Sequence, residues 1–154
     1  MSKLIRLSFT LLLFSFTLSL ASIINLQSVS ACSCIQQTTS EQVQFSDFVF
    51  IGQISSVETN SSNDFSPEDL VANVSVTENI KGTDLPSTIE INTASNSAAC
   101  GINLEANTER LFFISQTEDG SYSTGLCNGG VEITPADLEQ ANYIEQVRVA
   151  SSSL

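Results

Sequence analysis

The four cysteines are the residues of this chain whose types and spacing best support covalent chemistry. Cys32 and Cys34 form a Cys-x-Cys pair, whereas Cys100 and Cys127 stand alone. In an oxidising compartment four cysteines normally form two disulfide bonds, and three pairings are possible. A bond between Cys32 and Cys34 would close a very small ring, so we expect each to reach across to one of the other two. The residues alone leave open which crossed pairing forms.

Other candidate chemistry is weaker. The chain has no histidine, which excludes Ser-His-Asp and Cys-His catalysis and removes the commonest transition-metal ligand. A four-cysteine zinc site needs two closely spaced pairs, and only one is present. Glu68-Asp69 and Glu118-Asp119 lack the spacing of a calcium loop, and we interpret them as solvated turn residues. We therefore predict that the protein is not an enzyme and has no cofactor and no metal site of its own.

Residues 1–31 have the layout of a secretory signal peptide. Two basic residues near the start precede a stretch from Leu7 to Leu26 without any charged side chain, and small side chains lead up to Cys32. We expect cleavage after Ala31, which makes Cys32 the first residue of the mature chain. The predicted location is secreted and extracellular, with the periplasm or the cell surface as other possible compartments.

Two other interpretations of this segment stay open. An uncleaved run of about 20 uncharged residues is long enough to span a bilayer. Val29-Ser30-Ala31-Cys32 also matches a bacterial lipoprotein signal, in which the cysteine sulfur is acylated. Acylation would remove Cys32 from any disulfide bond and leave another cysteine unpaired, so we rank it below simple cleavage. Stable membrane association is expected only with an uncleaved signal or a lipidated Cys32.

After residue 31 the chain is strongly acidic. Lys81, Arg110 and Arg148 face 17 Asp and Glu residues, a net charge of −14. This charge disfavours nucleic acid as a partner and favours solubility. The length of residues 32–154 suits a single domain, which we expect to be a monomer.

Five short strands are predicted within this domain. Apolar and β-branched residues mark a buried strand over Phe48–Val57, where Gly52 permits a bend or bulge. A polar, turn-forming loop follows over Glu58–Asp69. Alternating apolar residues then predict a second strand from Leu70 to Lys81. The remaining strands are predicted over Thr88–Asn92, Arg110–Gln116 and Ser121–Leu126.

Two helices flank these strands in the prediction. A short helix lies within Gln36–Phe45, with Ser40 as its cap. A second helix begins at Pro135 with Thr134 as its cap, and one apolar face packs on the sheet. The residues expected on that face are Leu138, Ala141, Ile144 and Val147. Together these elements predict a small β-barrel or strongly curled sheet, with a two-sheet sandwich as the alternative.

Several short motifs occur in a characteristic order along the chain. They are Cys32-Ser33-Cys34, Phe45-Ser46-Asp47-Phe48-Val49-Phe50-Ile51-Gly52, Asn79-Ile80-Lys81-Gly82, Cys100-Gly101, Leu111-Phe112-Phe113 and Cys127. This set resembles the amino-terminal domain of the tissue inhibitors of metalloproteinases (TIMPs) and the wider netrin-like group, including exported microbial relatives. The likeness covers nearly all of residues 32–154.

The resemblance implies a mainly β fold, a five-stranded OB-fold barrel with a short N-terminal helix and a C-terminal helix. It also implies the disulfide bonds Cys32–Cys100 and Cys34–Cys127. By the same resemblance the α-amine and carbonyl oxygen of Cys32 chelate the catalytic zinc of a metalloprotease, and Ser33 points into its specificity pocket. The implied partner is a zinc metalloprotease, and the implied function is its inhibition.

The sequence also departs from the animal inhibitors. It lacks cysteines for the third disulfide bond of this domain and for a second, disulfide-rich domain. Ile35-Gln36-Gln37 stands where those proteins carry prolines. Because one fold supports many functions, the alternative is an extracellular OB-fold binding module that uses an exposed barrel face or loop and has no inhibitory activity.

Overall fold

The structure is a computed structural model that describes residues 32–60 and 69–154. The predicted signal peptide, residues 1–31, and most of the predicted loop between the first two strands lie outside the described residues. Within these two ranges, no helix is long and apolar enough to cross a membrane.

The described part of the chain forms two helices, six strands and one short 3₁₀ turn. The helices are α1 (Thr39–Phe45) and α2 (Leu138–Ser152). The strands are β1 (Phe48–Asn60), β2 (Asp69–Lys81), β3 (Thr88–Ala94), β4 (Glu109–Gln116), β5 (Tyr122–Ser123) and β6 (Val131–Glu132). The 3₁₀ turn covers Ser97–Ala99.

Five of the strands close into a barrel. Their order is β1-β2-β3-β5-β4, and β4 returns to pair with β1. β3 and β5 run parallel, and the other neighbours in the ring run antiparallel. β6, which the sequence did not predict, adds a short pairing to β4. The five-stranded barrel with one helix before it and one after it is therefore confirmed.

Two apolar clusters lie on the two faces of the barrel wall. The first cluster fills the barrel and consists of Phe50, Ile54, Ala72, Val74, Ile89, Ile91, Leu104, Phe112 and Ile114. The second lies between the barrel and the helices and consists of Val43, Val49, Ile51, Leu111, Phe113, Ile144, Val147 and Ala150. Successive residues of β1 and β4 thus enter different clusters, which explains why both strands are continuous apolar runs.

Gly52 allows β1 to pack closely against β2. The pairing of these two strands shifts register between Ile51 and Gly52. A Cβ atom at this position would lie 2.5 Å from Cγ1 of Val74. The predicted irregularity at Gly52 is confirmed, and the close approach of the neighbouring strand is the reason for it.

The N-cap of α1 differs from the prediction. Thr38, not Ser40, caps the helix, and Ser40 lies inside its first turn. The Thr38 hydroxyl accepts a hydrogen bond from the Glu41 backbone N–H, and the Glu41 carboxylate accepts one from the Thr38 backbone N–H at 2.7 Å. This reciprocal capping box satisfies two backbone donors at once, which Ser40 cannot do because no acidic residue follows it three positions later.

The N-cap of α2 also lies further along the chain than predicted. Asp137 is the cap, and its carboxylate accepts hydrogen bonds from the backbone N–H groups of Glu139 and Gln140. Thr134 and Pro135 precede it in a turn that Ala136 enters with a φ of 71°. Such a left-handed residue breaks the helical path, so the helix cannot begin at Pro135.

The buried face of α2 is shorter than predicted. Ile144 and Val147 pack against the barrel as expected, and Ala150 joins them. Leu138 is 79% exposed and Ala141 is exposed as well, so these two expectations are wrong. At about 100° per residue, Leu138 lies about 120° around the helix from Ile144.

The predicted boundaries of three strands also need correction. β1 continues to Asn60, so Glu58 belongs to a strand and not to a loop. β3 runs on to Ala94. The fifth strand covers only Tyr122–Ser123 instead of Ser121–Leu126. The Thr124 N–H still donates to Asn92 of β3, but the Leu126 N–H donates to Cys100, which lies beyond the end of β3.

Candidate functional site

Two disulfide bonds gather three separate segments at the start of the described chain. Cys32 is bonded to Cys100 with a Cα–Cα distance of 5.6 Å, and Cys34 to Cys127 with a Cα–Cα distance of 5.1 Å. These are the pairs that the resemblance implies. We call the surface formed by segments 32–35, 95–101 and 124–128 the cystine ridge.

A compact turn holds the middle segment of the ridge. The Asn96 side chain accepts a hydrogen bond from the Ala99 backbone N–H at 3.0 Å, and the Gly101 backbone N–H donates to the Asn96 carbonyl. Cys100 has a φ of 66°, the left-handed conformation that reverses the chain at the end of the turn. A Cβ atom at position 101 would collide with the Ala94 carbonyl, so only glycine fits directly after Cys100.

Backbone hydrogen bonds attach the third segment to the second and to the barrel. The Leu126 N–H donates to the Cys100 carbonyl at 2.7 Å, and the Thr124 N–H donates to the Asn92 carbonyl at 3.0 Å. The buried Thr124 hydroxyl donates to the Phe113 carbonyl at 3.1 Å. The ridge is therefore fixed by covalent bonds and by hydrogen bonds to two strands.

The ridge exposes small and apolar side chains. Ser33 is exposed between the half-buried Cys32 and Cys34. Ile35 is 87% exposed, and Leu126, next to Cys127, is 43% exposed. A surface of this kind offers backbone groups, the exposed hydroxyls of Ser33 and Ser97 and apolar contact area, and its side chains include no group for acid–base catalysis.

The ridge segments contain no charged residue, although 17 acidic residues lie elsewhere in the chain. The carboxyl groups with shifted pKa values belong to other parts of the structure. Hydrogen bonds from the Thr117 and Ser121 hydroxyls lower the pKa of Asp119 to about 2. The Thr38 backbone N–H lowers the pKa of Glu41, and the Arg148 guanidinium lowers that of Glu78. The hydrogen bonds that cause these shifts stabilise a turn, a helix cap and an ion pair.

Three of the four acidic residues singled out in the sequence lie in the part of the chain that the structure describes. Glu68 lies outside the described residues, and Asp69 begins β2. Glu118 and Asp119 lie in the exposed turn between β4 and β5, where the Asp119 carboxylate accepts hydrogen bonds from Thr117 and Ser121. Across residues 32–60 and 69–154, no group of three or more Cys, Asp or Glu residues is arranged to hold a metal ion.

Comparison with known protein families gives one match over most of the chain. The model of the tissue inhibitor of metalloproteinase family matches residues 30–134, which include the Cys-x-Cys segment, the barrel and both disulfide bonds. The chain belongs to this family. A search of curated proteins gives no match. The TIMP match ends before α2, so the C-terminal helix lies outside the region that the family model covers.

Membership of the TIMP family defines the general role of the chain. Proteins of this family are inhibitors and not enzymes, and the enzymes that the family name gives as their targets are metalloproteinases. The family and the two disulfide bonds are consistent with an extracellular location. The TIMP domain, the disulfide bonds and the OB-like barrel thus all indicate the same family.

Sequence reasoning missed some of the residues that shape the ridge. Asn96 and Thr124 fix the second and third segments through side-chain hydrogen bonds. Asn96 precedes three small residues, a pattern that is compatible with a capped turn. The sequence predicts Thr124 in the middle of a strand, and no local signal distinguishes its role, because its partners lie in two other strands, at Asn92 of β3 and Phe113 of β4.

Proposed function

We propose that the mature chain begins at Cys32 and inhibits a zinc metalloprotease by direct chelation of its catalytic zinc. The α-amine nitrogen and the carbonyl oxygen of Cys32 close a five-membered ring on the metal. This ring displaces the zinc-bound water that the protease uses as its nucleophile. The inhibitor supplies both ligands from one residue and needs no metal of its own.

The disulfide bonds on both sides of Ser33 are the observation that carries this proposal. Cys32 and Cys34 are bonded to two different segments of the ridge, which are in turn hydrogen-bonded to each other. The chain start therefore has one conformation before it meets the protease, and less conformational entropy is lost on binding.

Ser33 acts as the specificity contact in the same proposal. Its side chain is exposed and lies between two anchored cysteines. A side chain that follows the chelating residue directly points beyond the zinc and into the substrate pocket of the protease. The small hydroxyl of Ser33 suits a pocket that accepts small residues or tolerates a polar group.

The uncharged ridge favours the deprotonated amine that zinc requires. An α-amine has an ordinary pKa of about 7.7–8.0. A carboxylate beside it would stabilise the protonated form, and the ridge segments carry none. Metal binding then needs to remove only a proton that is already weakly held near neutral pH.

The proposal requires removal of residues 1–31 and export of the protein. A retained leader blocks the amine, and acylation of Cys32 excludes its disulfide bond. Mass spectrometry of the purified mature chain tests this step directly. We expect a mass that starts at Cys32 with two disulfide bonds and no lipid; a retained leader or a lipidated Cys32 would refute the chelation mechanism.

One extra residue before Cys32 tests the mechanism itself. We expect the chain that begins at Cys32 to inhibit zinc metalloproteases, and a chain with one alanine added before Cys32 to lose inhibition. The added residue replaces the free amine by an amide, which is a poor zinc ligand. Inhibition constants against a panel of protease catalytic domains measure the difference.

The matched control carries the same alanine after Leu154. It has the same composition as the blocked chain, and it should inhibit as strongly as the unmodified protein. Equal inhibition by the blocked chain would show that the amine is not a zinc ligand.

A further inference from the structure

Asn128 and Gly129 form the only asparagine–glycine pair in the sequence. Asn128 is the last residue of the cystine ridge and directly follows Cys127, which is bonded to Cys34. The side-chain amide of an asparagine reacts with the backbone nitrogen of the next residue when that nitrogen is uncrowded. Glycine favours this reaction because it has no Cβ atom beside the nitrogen. The pair therefore has the residue types for a covalent change that needs no enzyme.

The fold itself requires glycine after Asn128. Gly129 has a φ of 80°, a left-handed conformation that favours glycine. A Cβ atom at this position would also lie 2.6 Å from Nε2 of Gln42 in α1. The residue that packing demands here is thus the one that leaves its backbone nitrogen open.

The two reacting groups are weakly held. The Asn128 side-chain amide donates to the Ser115 hydroxyl at 3.5 Å, which is the outer limit of a hydrogen bond. Among the described residues, no backbone carbonyl accepts a hydrogen bond from the Gly129 N–H. Few interactions must therefore be broken before the Gly129 nitrogen can reach the Asn128 side chain.

Solvent reaches the Asn128 amide through a groove beside the ridge. The groove has a volume of about 260 Å³ and is lined by residues in and around α1, by Ser115 of β4, and by Cys127 and Asn128. Phe45, which also lines it, is 67% exposed, so the groove is open to water. Hydroxide and water are the only co-reactants that this chemistry needs.

We propose that Asn128 is a site of spontaneous deamidation, at which the folded protein changes with time into forms that carry a carboxylate in the cystine ridge. The Gly129 nitrogen loses its proton to hydroxide, and its electron pair forms a bond to Cγ of Asn128. The Cγ–Nδ2 bond then breaks, and the nitrogen takes a proton from water and leaves as ammonia. The product is a five-membered cyclic imide.

Water opens the imide in two ways. Breaking the bond between the Gly129 nitrogen and Cγ gives aspartate. Breaking the bond between the same nitrogen and the main-chain carbonyl carbon of residue 128 gives isoaspartate, in which the chain continues through Cγ. Both routes exchange ammonia for water without oxidation or reduction. The new carboxylate is ionised at neutral pH, so the ridge gains its first charged group. This site needs only Asn128, Gly129 and water, and it does not depend on the proposed function.

Peptide mass spectrometry of the folded protein tests the inference. The protein is incubated with both disulfide bonds intact, at mildly alkaline pH, in water labelled with a heavy oxygen isotope. It is then digested with pepsin at acidic pH in ordinary water, so that only oxygen taken up before digestion carries the label. We expect labelled aspartate and isoaspartate at position 128. The rate should rise with pH, because the deprotonated Gly129 nitrogen is the attacking group.

Two exposed asparagines of the same chain are internal controls. Asn107 precedes Thr108, and Asn142 precedes Tyr143 within α2. Because the next residue has a side chain in both cases, we expect Asn128 to react at least about 10-fold faster than either, a barrier lower by about 1.4 kcal/mol. Asn128→Gln is the matched variant. It should stay unmodified, since glutamine would have to close a six-membered ring.

Two results would overturn the inference. If the folded protein leaves Asn128 unmodified while the reduced, unfolded chain is converted, the fold protects the amide. If Asn107 and Asn142 react as fast as Asn128, exposure alone decides and Gly129 has no role.

Discussion

The cystine ridge and the helical layer, which consists of α1 and α2 on the outside of the barrel, are stabilised in different ways. In the ridge, two disulfide bonds join segments that are 68 and 93 residues apart, and Ser33, Ile35 and Leu126 remain exposed. In the helical layer, Ile144 and Val147 of α2 pack with apolar residues of α1 and the barrel. Covalent bonds thus replace apolar packing in the part of the molecule that must stay open to a partner.

Polar contacts reinforce the helical layer at its border. The Lys81 ammonium donates hydrogen bonds to the carbonyls of Val43 at 2.7 Å and Ser46 at 2.5 Å. These carbonyls lie at the C-terminal end of α1, where a positive charge is favourable. The Ser151 hydroxyl of α2 donates to the Ile80 carbonyl. These contacts join both helices to the end of β2 and involve no residue of the ridge.

The largest expected effect comes from removal of one ridge disulfide bond. We predict that Cys34→Ser with Cys127→Ser lowers the free energy of unfolding by about 3–4 kcal/mol. With Cys32–Cys100 intact, the missing bond would close a loop of about 30 residues through that disulfide in the unfolded chain. Urea unfolding measures the change. Ser33→Ala, an exposed control in the same segment, should stay within about 0.5 kcal/mol. A loss of less than about 1 kcal/mol in the double variant would contradict the claim that covalent bonds stabilise the ridge.

A smaller loss is expected from a cavity in the helical layer. Ile144→Ala should lower the free energy of unfolding by about 3 kcal/mol, because Ile144 is buried between α2 and the barrel. The inhibition constant should not change, since the ridge is held by its own bonds. Val149→Ala on the exposed side of α2 is the control, and its effect should be within about 0.5 kcal/mol. A large loss of inhibition in Ile144→Ala would show that the two regions are coupled.

The smallest effect concerns the exposed turn that leads into the third ridge segment. Hydrogen bonds from Thr117 and Ser121 lower the pKa of Asp119 from 3.8 to about 2. A lowered carboxyl pKa stabilises the fold at pH values above 3.8, and this contribution is lost as the pH falls toward 2. NMR titration of the Asp119 carboxyl should give a midpoint near the lower value. Thr117→Val should raise the midpoint. An unchanged midpoint would show that the Thr117 hydroxyl does not lower the pKa of Asp119.

The barrel could be predicted from the sequence because its strands carry strong local patterns. β1 and β2 show a long apolar run and a clear alternation, and both strands occur where they were predicted. The helix caps were misplaced because several Ser, Thr and Asp residues near each helix start can act as caps. Hydrogen bonds of Thr38 with Glu41 and of Asp137 with Gln140 decide between them.

The geometry of the ridge could be predicted only in part. The Cys-x-Cys segment and the single cysteines limited the bonds to two crossed pairings, and the family resemblance was needed to choose one. β5 ends early because the Leu126 N–H bonds to Cys100, which lies outside the strands, and no longer to β3. Such contacts between distant segments leave no periodic pattern in the sequence.

A crystal structure of the mature chain bound to the catalytic domain of a zinc metalloprotease tests the central claim most directly. We predict that the amine nitrogen and the carbonyl oxygen of Cys32 each lie about 2.0–2.2 Å from the zinc, with the catalytic water displaced. A complex in which the zinc keeps its water and Cys32 lies away from the metal would contradict the proposed mechanism.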